Sequence, residues 1–202
     1  MRWSGTAKAL HWTTAALILG LLALGWVMTR ADMNAALRFD LYQLHKSFGF
    51  VALGLVWLRL IHLTFRCAPE PPKSRLERRL VRAGRAGLWT LMILAPLSGW
   101  ATASASPLEI PTLFFGLFKV PDVVRPGEAA FALASSAHFW LTALFAALIC
   151  LHAAAALKHH FIDGDDVLTG MLPRRRSGPS GLKKVRQDNV LKRLDEVRSK
   201  RF

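Results

Sequence analysis

The sequence predicts an all-α protein, an integral membrane four-helix bundle with both its N- and C-termini in the cytoplasm. Four apolar stretches are each as long as the roughly 20 residues that a helix needs to cross a bilayer. These stretches are nearly free of charge, although the chain carries a formal net charge of +14. Most of the 27 Lys and Arg residues lie before the first stretch, between the second and third, and after the fourth. The positive-inside rule places those segments in the cytoplasm.

The predicted spans cover residues 9–29, 44–65, 86–108 and 135–157. The first has an alternative interpretation as a signal peptide, because Arg2 and Lys8 precede it. Its length, the presence of His11 and Trp12 within it, and the lack of a clear small-residue cleavage site favour a retained helix. The third span has no charged residue, and the fourth has no ionisable residue of note except its histidines.

Residues 1–172 are predicted to form the membrane domain, and residues 173–202 a basic cytoplasmic tail. The loop before the fourth span contains an apolar segment, 110–118, that we expect to lie along the membrane surface. Apolar residues recur in the tail at rough helical spacing, which fits either a solvated helix or an interfacial helix attracted to anionic lipid. Because the positive charge brackets apolar spans, it indicates a lipid partner and no nucleic acid.

The fourth span carries two histidines, His138 and His152, fourteen residues apart. An α-helix rises 1.5 Å per residue, so the two lie about 21 Å apart along the axis and within about 40° of each other around it. Ionisable side chains inside a membrane are costly and usually functional. One helix face therefore presents a histidine near each side of the membrane, a spacing suited to two stacked haems.

Each haem iron would need a second axial ligand from another helix. His11 lies at the depth of His152, and His45 at the depth of His138. We call His11 and His152 the inner pair, and His45 and His138 the outer pair. Two histidines per iron leave no open position, so such a haem transfers single electrons. His62 competes with His11 for the inner iron, but it points about 100° away from the face that His45 uses.

The remaining residues are consistent with two haems of type b. No Cys-x-x-Cys-His motif is present for covalent attachment. Glycines in the first two spans offer room for a porphyrin, or simply close helix packing: Gly20, Gly25, Gly49 and Gly54. Haem propionates need cationic partners, for which depth suggests Lys46 and Arg38 at the outer haem and Arg2, Lys8 or Lys158 at the inner haem.

Several motifs resemble those of the bacterial cytochrome b-561 family. The resemblance spans about residues 3 to 174 in order. It rests on Ala-Leu-His-Trp at 9–12, Leu-His-Lys-Ser-Phe-Gly at 44–49, Leu-Arg-Leu at 58–60, Ala-Pro-Leu-Ser-Gly-Trp at 95–100, Ala-His at 137–138, Leu-His at 151–152, Lys-His-His-Phe at 158–161, Asp-Val-Leu at 166–168 and Met-Leu-Pro at 171–173. The chain departs from the family pattern at Arg85 and Trp89, where members often carry a histidine and a tyrosine.

The resemblance implies a bacterial inner-membrane, four-helix cytochrome with two b haems, the four histidines above as ligands, and quinone as electron partner. Some members oxidise superoxide at the outer face and reduce ubiquinone, and Lys46 and Arg38 are then the candidates for steering the anion. An alternative function is an electron relay between quinone and a partner dehydrogenase. A third alternative is a membrane scaffold without redox chemistry, which would make the paired histidines a coincidence.

Overall fold

The computed structural model describes residues 3–64, 74–164 and 167–172. Within these ranges the chain forms four long helices, α1 (Gly5–Arg30), α2 (Ala35–Thr64), α3 (Arg75–Ala105) and α4 (Glu128–Phe161), and a short fifth, α5 (Val167–Met171). All four long helices are long and apolar enough to cross a membrane. The predicted all-α, four-helix membrane architecture is therefore confirmed, while the orientation of the termini stays a prediction.

The helices extend beyond the predicted apolar spans because polar residues continue them past the hydrocarbon region. Ser4 caps α1 by accepting a hydrogen bond from the backbone N–H of Ala7. Ser74 and Glu77 form a reciprocal capping box at the start of α3, eleven residues before the predicted span begins. The same helix ends at Ala105, earlier than predicted, because Pro107 disfavours helical backbone in the residue before it.

The helices pack as neighbours in a defined order. α3 packs along α4, α1 packs along α2, and α2 contacts α3, whereas α4 makes few close backbone approaches to α1 or α2 within the described ranges. The buried cluster comes from three helices and comprises Val56, Leu91, Met92, Ala95 and Phe145. Many large apolar side chains, such as Trp26, Leu133 and Trp140, are exposed on the protein surface. This pattern is typical of helices whose outward faces contact lipid.

A small β-hairpin follows α3, where the sequence predicts an apolar segment along the membrane. Strands β1 (Leu113–Phe114) and β2 (Phe118–Lys119) pair antiparallel, with Leu113 opposite Lys119. The connection between them uses positive φ angles at Phe115 and Gly116, and glycine adopts such a conformation without strain. Strands of two residues are too short to give an alternating pattern, so the sequence did not predict them.

Some predictions fall on residues outside the described ranges. The basic segment 65–73 and the tail 173–202, with its proposed interfacial helix, lie outside them, as does the side chain of His62. Backbone proximity divides the chain after Met171.

Candidate functional site

The inner pair connects the beginning of α1 with the later half of α4. The ring centroids of His11 and His152 are 6.5 Å apart, and the ring planes are inclined by 63°. An imidazole nitrogen binds a metal at about 2 Å and the ring centre lies about 1 Å behind it, so rings on opposite sides of one metal have centres about 6 Å apart. The observed separation therefore fits a single metal ion between the two rings.

The outer pair connects α2 with the earlier half of α4. Nδ1 of His138 lies 3.1 Å from the carbonyl oxygen of Ala95 and 3.0 Å from Oγ of Ser98, and both of these residues belong to α3. A carbonyl only accepts, so Nδ1 carries the proton and donates. Nε2 then keeps its lone pair, which is the form of histidine that binds a metal. His45 lies close enough to His138 for the two rings to interact electrostatically.

Two glycines let the histidine rings of the outer pair approach neighbouring helices. A Cβ at Gly99 of α3 would lie 3.0 Å from Cε1 of His138, and one at Gly25 of α1 would lie 3.4 Å from Cε1 of His45. Gly49 is one turn from His45, is half-buried, and has no atom within 4 Å of the position a Cβ would take. The outer pair thus has closely packed rings and open space on the helix face beside them.

These observations fit a porphyrin at each pair better than a bare metal ion. Among the residues that the structure describes, no three His, Cys, Asp or Glu side chains cluster to hold a metal. A haem needs only two protein ligands, because the porphyrin supplies the other four nitrogens. The sparse packing of α4 against α1 and α2 leaves the interior between these helices for such a group.

The hairpin is fastened to α2 on either side of His45. Gln43 donates to the carbonyl of Pro111 and accepts from the N–H of Leu113. Ser47 is 1% exposed; it shares its hydroxyl proton between the carbonyls of Gln43 at 2.9 Å and Leu113 at 3.1 Å, and it accepts from the N–H of Phe115. His45 therefore lies, in sequence, between the two residues that hold the hairpin. Sequence reasoning missed this arrangement, because neither residue belongs to a hairpin signal.

The residues predicted to steer an anion occupy different settings. Lys46 is half-buried beside His45, and Asp122 after the hairpin is near enough to interact with its charge. Asp122 also pairs with Lys119 at 3.3 Å. Arg38 is exposed two turns earlier on α2, and nothing in the described structure brings it to the histidine pair. Lys46 is thus the better placed of the two.

At the other end of α4, a carboxylate binds Lys158, one of the three cations that depth suggested for the inner haem. Lys158 donates to both carboxylate oxygens of Asp163, at 3.0 and 2.9 Å. His159 Nδ1 lies 2.8 Å from the same carboxylate. The pKa of Asp163 lies below its usual value, chiefly because Lys158 donates hydrogen bonds to the carboxylate. Nearby, the indole N–H of Trp12 donates to the carbonyl of Met171 and ties α1 to α5.

Sequence reasoning located Arg59 in the second span but gave it no role. One guanidinium nitrogen of Arg59 lies 3.4 Å from Nδ1 of His11. The guanidinium carbon lies 5.1 Å from the ring centroid of Trp89, in a cation–π arrangement. The presence of a charged residue inside a span was a signal for a functional role. Its contacts could not be predicted, because sequence periodicity alone does not give the rotation of one helix relative to another.

The fold and the histidine pairs define a helical membrane protein equipped to hold a metal cofactor between its helices. The sequence pattern of the prokaryotic cytochrome b561 family matches residues 2–174. The chain belongs to this family, and it is a multi-pass bacterial membrane protein whose family carries b-type haem.

The chain covers nearly the whole length of three similar proteins. The chain is 33% identical to "Cytochrome b561 homolog 2" of Escherichia coli K12 over 184 residues, 87% of this chain and 94% of the relative. It is 29% identical to "Cytochrome b561 homolog 1" of the same organism, over 87% of this chain and 99% of the relative. It is also 29% identical to "Probable superoxide oxidase CybB" of Yersinia pestis, over 87% of this chain and 98% of the relative.

Proposed function

We propose that the protein is an inner-membrane cytochrome that holds two b haems and transfers electrons from superoxide at the outer face to ubiquinone. His11 and His152 would hold the inner haem iron, and His45 and His138 the outer one. The observation that carries the proposal is the 6.5 Å separation of the inner rings, together with a second histidine pair at the other end of α4. A bis-histidine haem supplies single-electron transfer at an iron closed to added ligands.

The chain's own residues would hold and orient that cofactor. The Ala95 carbonyl and Ser98 fix the ring of His138 with its proton on Nδ1, which would leave Nε2 to bind the iron. Gln43 and Ser47 keep the hairpin against α2 on both sides of His45. These contacts hold the ring of His138 and attach the hairpin to the segment of α2 that carries His45.

The overall reaction balances as two superoxide anions, one ubiquinone and two protons giving two molecules of oxygen and one ubiquinol. Superoxide is a small anion, so a local positive charge would speed its arrival. Lys46 is the favoured steering residue, with Arg38 a more distant contributor. The name of the Yersinia pestis relative supports superoxide as the donor, and the basic segments support termini on the cytoplasmic side.

A second candidate is an electron relay between quinone and a peripheral dehydrogenase. The basic start of α3 favours it, because this helix of 31 residues is about 46 Å long and exceeds the hydrocarbon thickness of about 30 Å. Its first turns carry exposed arginines, among them Arg75, Arg79 and Arg85, that an acidic partner would fit.

Purified protein tests the proposal. We expect a reduced-minus-oxidised spectrum with a b-type α band and a haem-to-protein ratio near two; protein without haem would overturn both candidates. His11→Ala and His152→Ala should each remove one and the same haem, and His45→Ala and His138→Ala the other. If His62→Ala removes the inner haem while His11→Ala retains it, the pairing is wrong. Haem reduction by a superoxide pulse that is faster than reduction by quinol favours superoxide oxidation over the relay.

A further inference from the structure

Arg59, on the last turns of α2, places a cation beside the inner pair. Arg59 is half-buried; one guanidinium nitrogen lies 3.4 Å from Nδ1 of His11, and the guanidinium carbon lies 5.1 Å from the centroid of the Trp89 ring. None of the ion pairs in the described part of the chain includes Arg59. A guanidinium is thus held beside the inner histidines without a carboxylate in the regions that the structure describes.

A charge in this position needs compensation. A cation within a membrane span is costly when it faces hydrocarbon, and such residues usually pair with a group of opposite charge. The face of an aromatic ring compensates less of this cost than a carboxylate in bidentate contact. A neutral imidazole nitrogen at 3.4 Å is a weak acceptor, because N–H···N and N–H···O hydrogen bonds are strongest below about 3.2 Å.

The contact with His11 also conflicts with metal binding through Nε2. A guanidinium only donates, so it favours the form of His11 whose Nδ1 is an acceptor and whose proton lies on Nε2. A metal at Nε2 requires the lone pair on that nitrogen. When His11 holds a metal in this way, the guanidinium of Arg59 needs a different acceptor close by.

We infer that Arg59 binds a propionate carboxylate of the inner haem, with the Trp89 ring supporting the guanidinium from one side. The inference rests on the proposed function, since it requires a haem between His11 and His152. A haem would bring carboxylates to a place where the described part of the chain provides a cation and no ion pair to a carboxylate. Arg59 is a positioning residue, and its charge stabilises the reduced form of the inner haem by offsetting the propionate.

The test is the midpoint potential of each haem, measured in variants that retain only one. Arg59→Gln in the His45→Ala background, which keeps the inner haem, should lower the equilibrium constant for reduction about tenfold, which is 59 mV for a one-electron couple. In the His152→Ala background, which keeps the outer haem, the potential should stay unchanged. Arg59→Lys keeps the charge, so its shift should be smaller than that of Arg59→Gln.

A matched control and a modified cofactor separate propionate binding from other effects. Arg79→Gln removes the same charge from an exposed position of α3 and should leave both potentials unchanged. The second measurement loads the protein with haem dimethyl ester, whose propionates carry no charge. The Arg59→Gln shift should then shrink to less than half, as in a double-mutant cycle.

The outcomes distinguish this inference from the proposed function. An unchanged inner potential in Arg59→Gln, an equal shift of both haems, or the same shift with haem and with its dimethyl ester would each overturn the role of Arg59 while the dihaem function stands. Wild-type protein without haem, or a His45→Ala variant that loses both haems, would overturn the function itself. Retained haem with a lower inner potential that depends on the free propionates supports the inference.

Discussion

His138 of α4 is held by the carbonyl oxygen of Ala95 on α3, which lies 3.1 Å from its Nδ1. Ser98 donates its hydroxyl proton to the same carbonyl at 2.8 Å, so its oxygen is free to accept from the imidazole. Pro96 lies between the two α3 residues, within the helix. Helix α3 thereby fixes the orientation of the His138 ring on α4 and holds the ring proton on Nδ1. The lone pair of Nε2 is then available to bind a metal.

Gly99→Ala should disturb this arrangement. The added methyl group would lie 3.0 Å from Cε1 of His138, so the ring must move away from Ala95 and Ser98. We expect a destabilisation of about 1–3 kcal/mol, as for other overpacked interiors, and weaker retention of the outer haem. Haem content and detergent unfolding measure the two effects.

The matched control for this prediction is Gly84→Ala in the same helix. No atom lies within 4 Å of the Cβ position at Gly84, so the substitution should be neutral or stabilising by up to about 1 kcal/mol. At Gly25 an added methyl group would lie 3.4 Å from Cε1 of His45, so the destabilisation by Gly25→Ala should be intermediate between those of Gly84→Ala and Gly99→Ala. Equal outer-haem loss in Gly84→Ala and Gly99→Ala would contradict the packing argument.

Ser47→Ala should loosen the attachment of the hairpin to α2. The buried hydroxyl serves both Leu113 and Phe115, and its loss leaves the Phe115 N–H without that acceptor. A partly buried group left unsatisfied costs about 1–3 kcal/mol. We expect a corresponding fall in the free energy of unfolding and faster proteolysis of the hairpin.

Ser135→Ala provides the comparison for Ser47→Ala. Ser135 is half-buried and donates to the carbonyl of Ala132 in its own helix, so removal of the hydroxyl should change the unfolding free energy little. If both variants unfold alike and the hairpin remains protected from protease, Ser47 does not fasten it.

The sequence predicted the features that depend on regular helix geometry alone. The depth and face of His138 and His152 follow from a constant rise and rotation per residue, and the structure brings His11 and His152 together. Contacts that depend on how one helix is rotated against another were missed, as with Gly99 against His138 and Arg59 against His11. The hairpin was missed because its hydrogen bonds come from side chains far away in sequence, Gln43 and Ser47.

Asp163→Asn should weaken the end of α4 in a pH-dependent way. The folded protein lowers the pKa of Asp163, chiefly through the Lys158 hydrogen bonds, so the carboxylate form is favoured on folding. Its stabilisation is present above the unfolded-state pKa of about 4 and is lost as the pH falls through the lower folded-state value. The variant should therefore melt slightly below wild type at pH 7, and the difference should vanish in acid.

Thermal melting in detergent between pH 7 and pH 3 checks this prediction. Asp40→Asn removes an exposed carboxylate from α2 and provides the control for the change in net charge. A difference between Asp163→Asn and wild type that grows on acidification would have the wrong sign for a carboxyl of lowered pKa.

Lys46→Gln should slow the reduction of the outer haem by superoxide, if the proposed function holds. Lys46 adjoins His45, while Asp122 interacts with it and also pairs with Lys119 at 3.3 Å. Removing the cation weakens the local attraction for an anion, whereas Asp122→Asn strengthens it. We expect Lys46→Gln to lower the bimolecular rate about two- to fivefold at low salt and Asp122→Asn to raise it by a similar factor.

Pulse radiolysis at several ionic strengths measures both, and the differences should diminish as salt screens the charges. Rates that are the same in all three proteins at low salt would remove Lys46 as a steering residue.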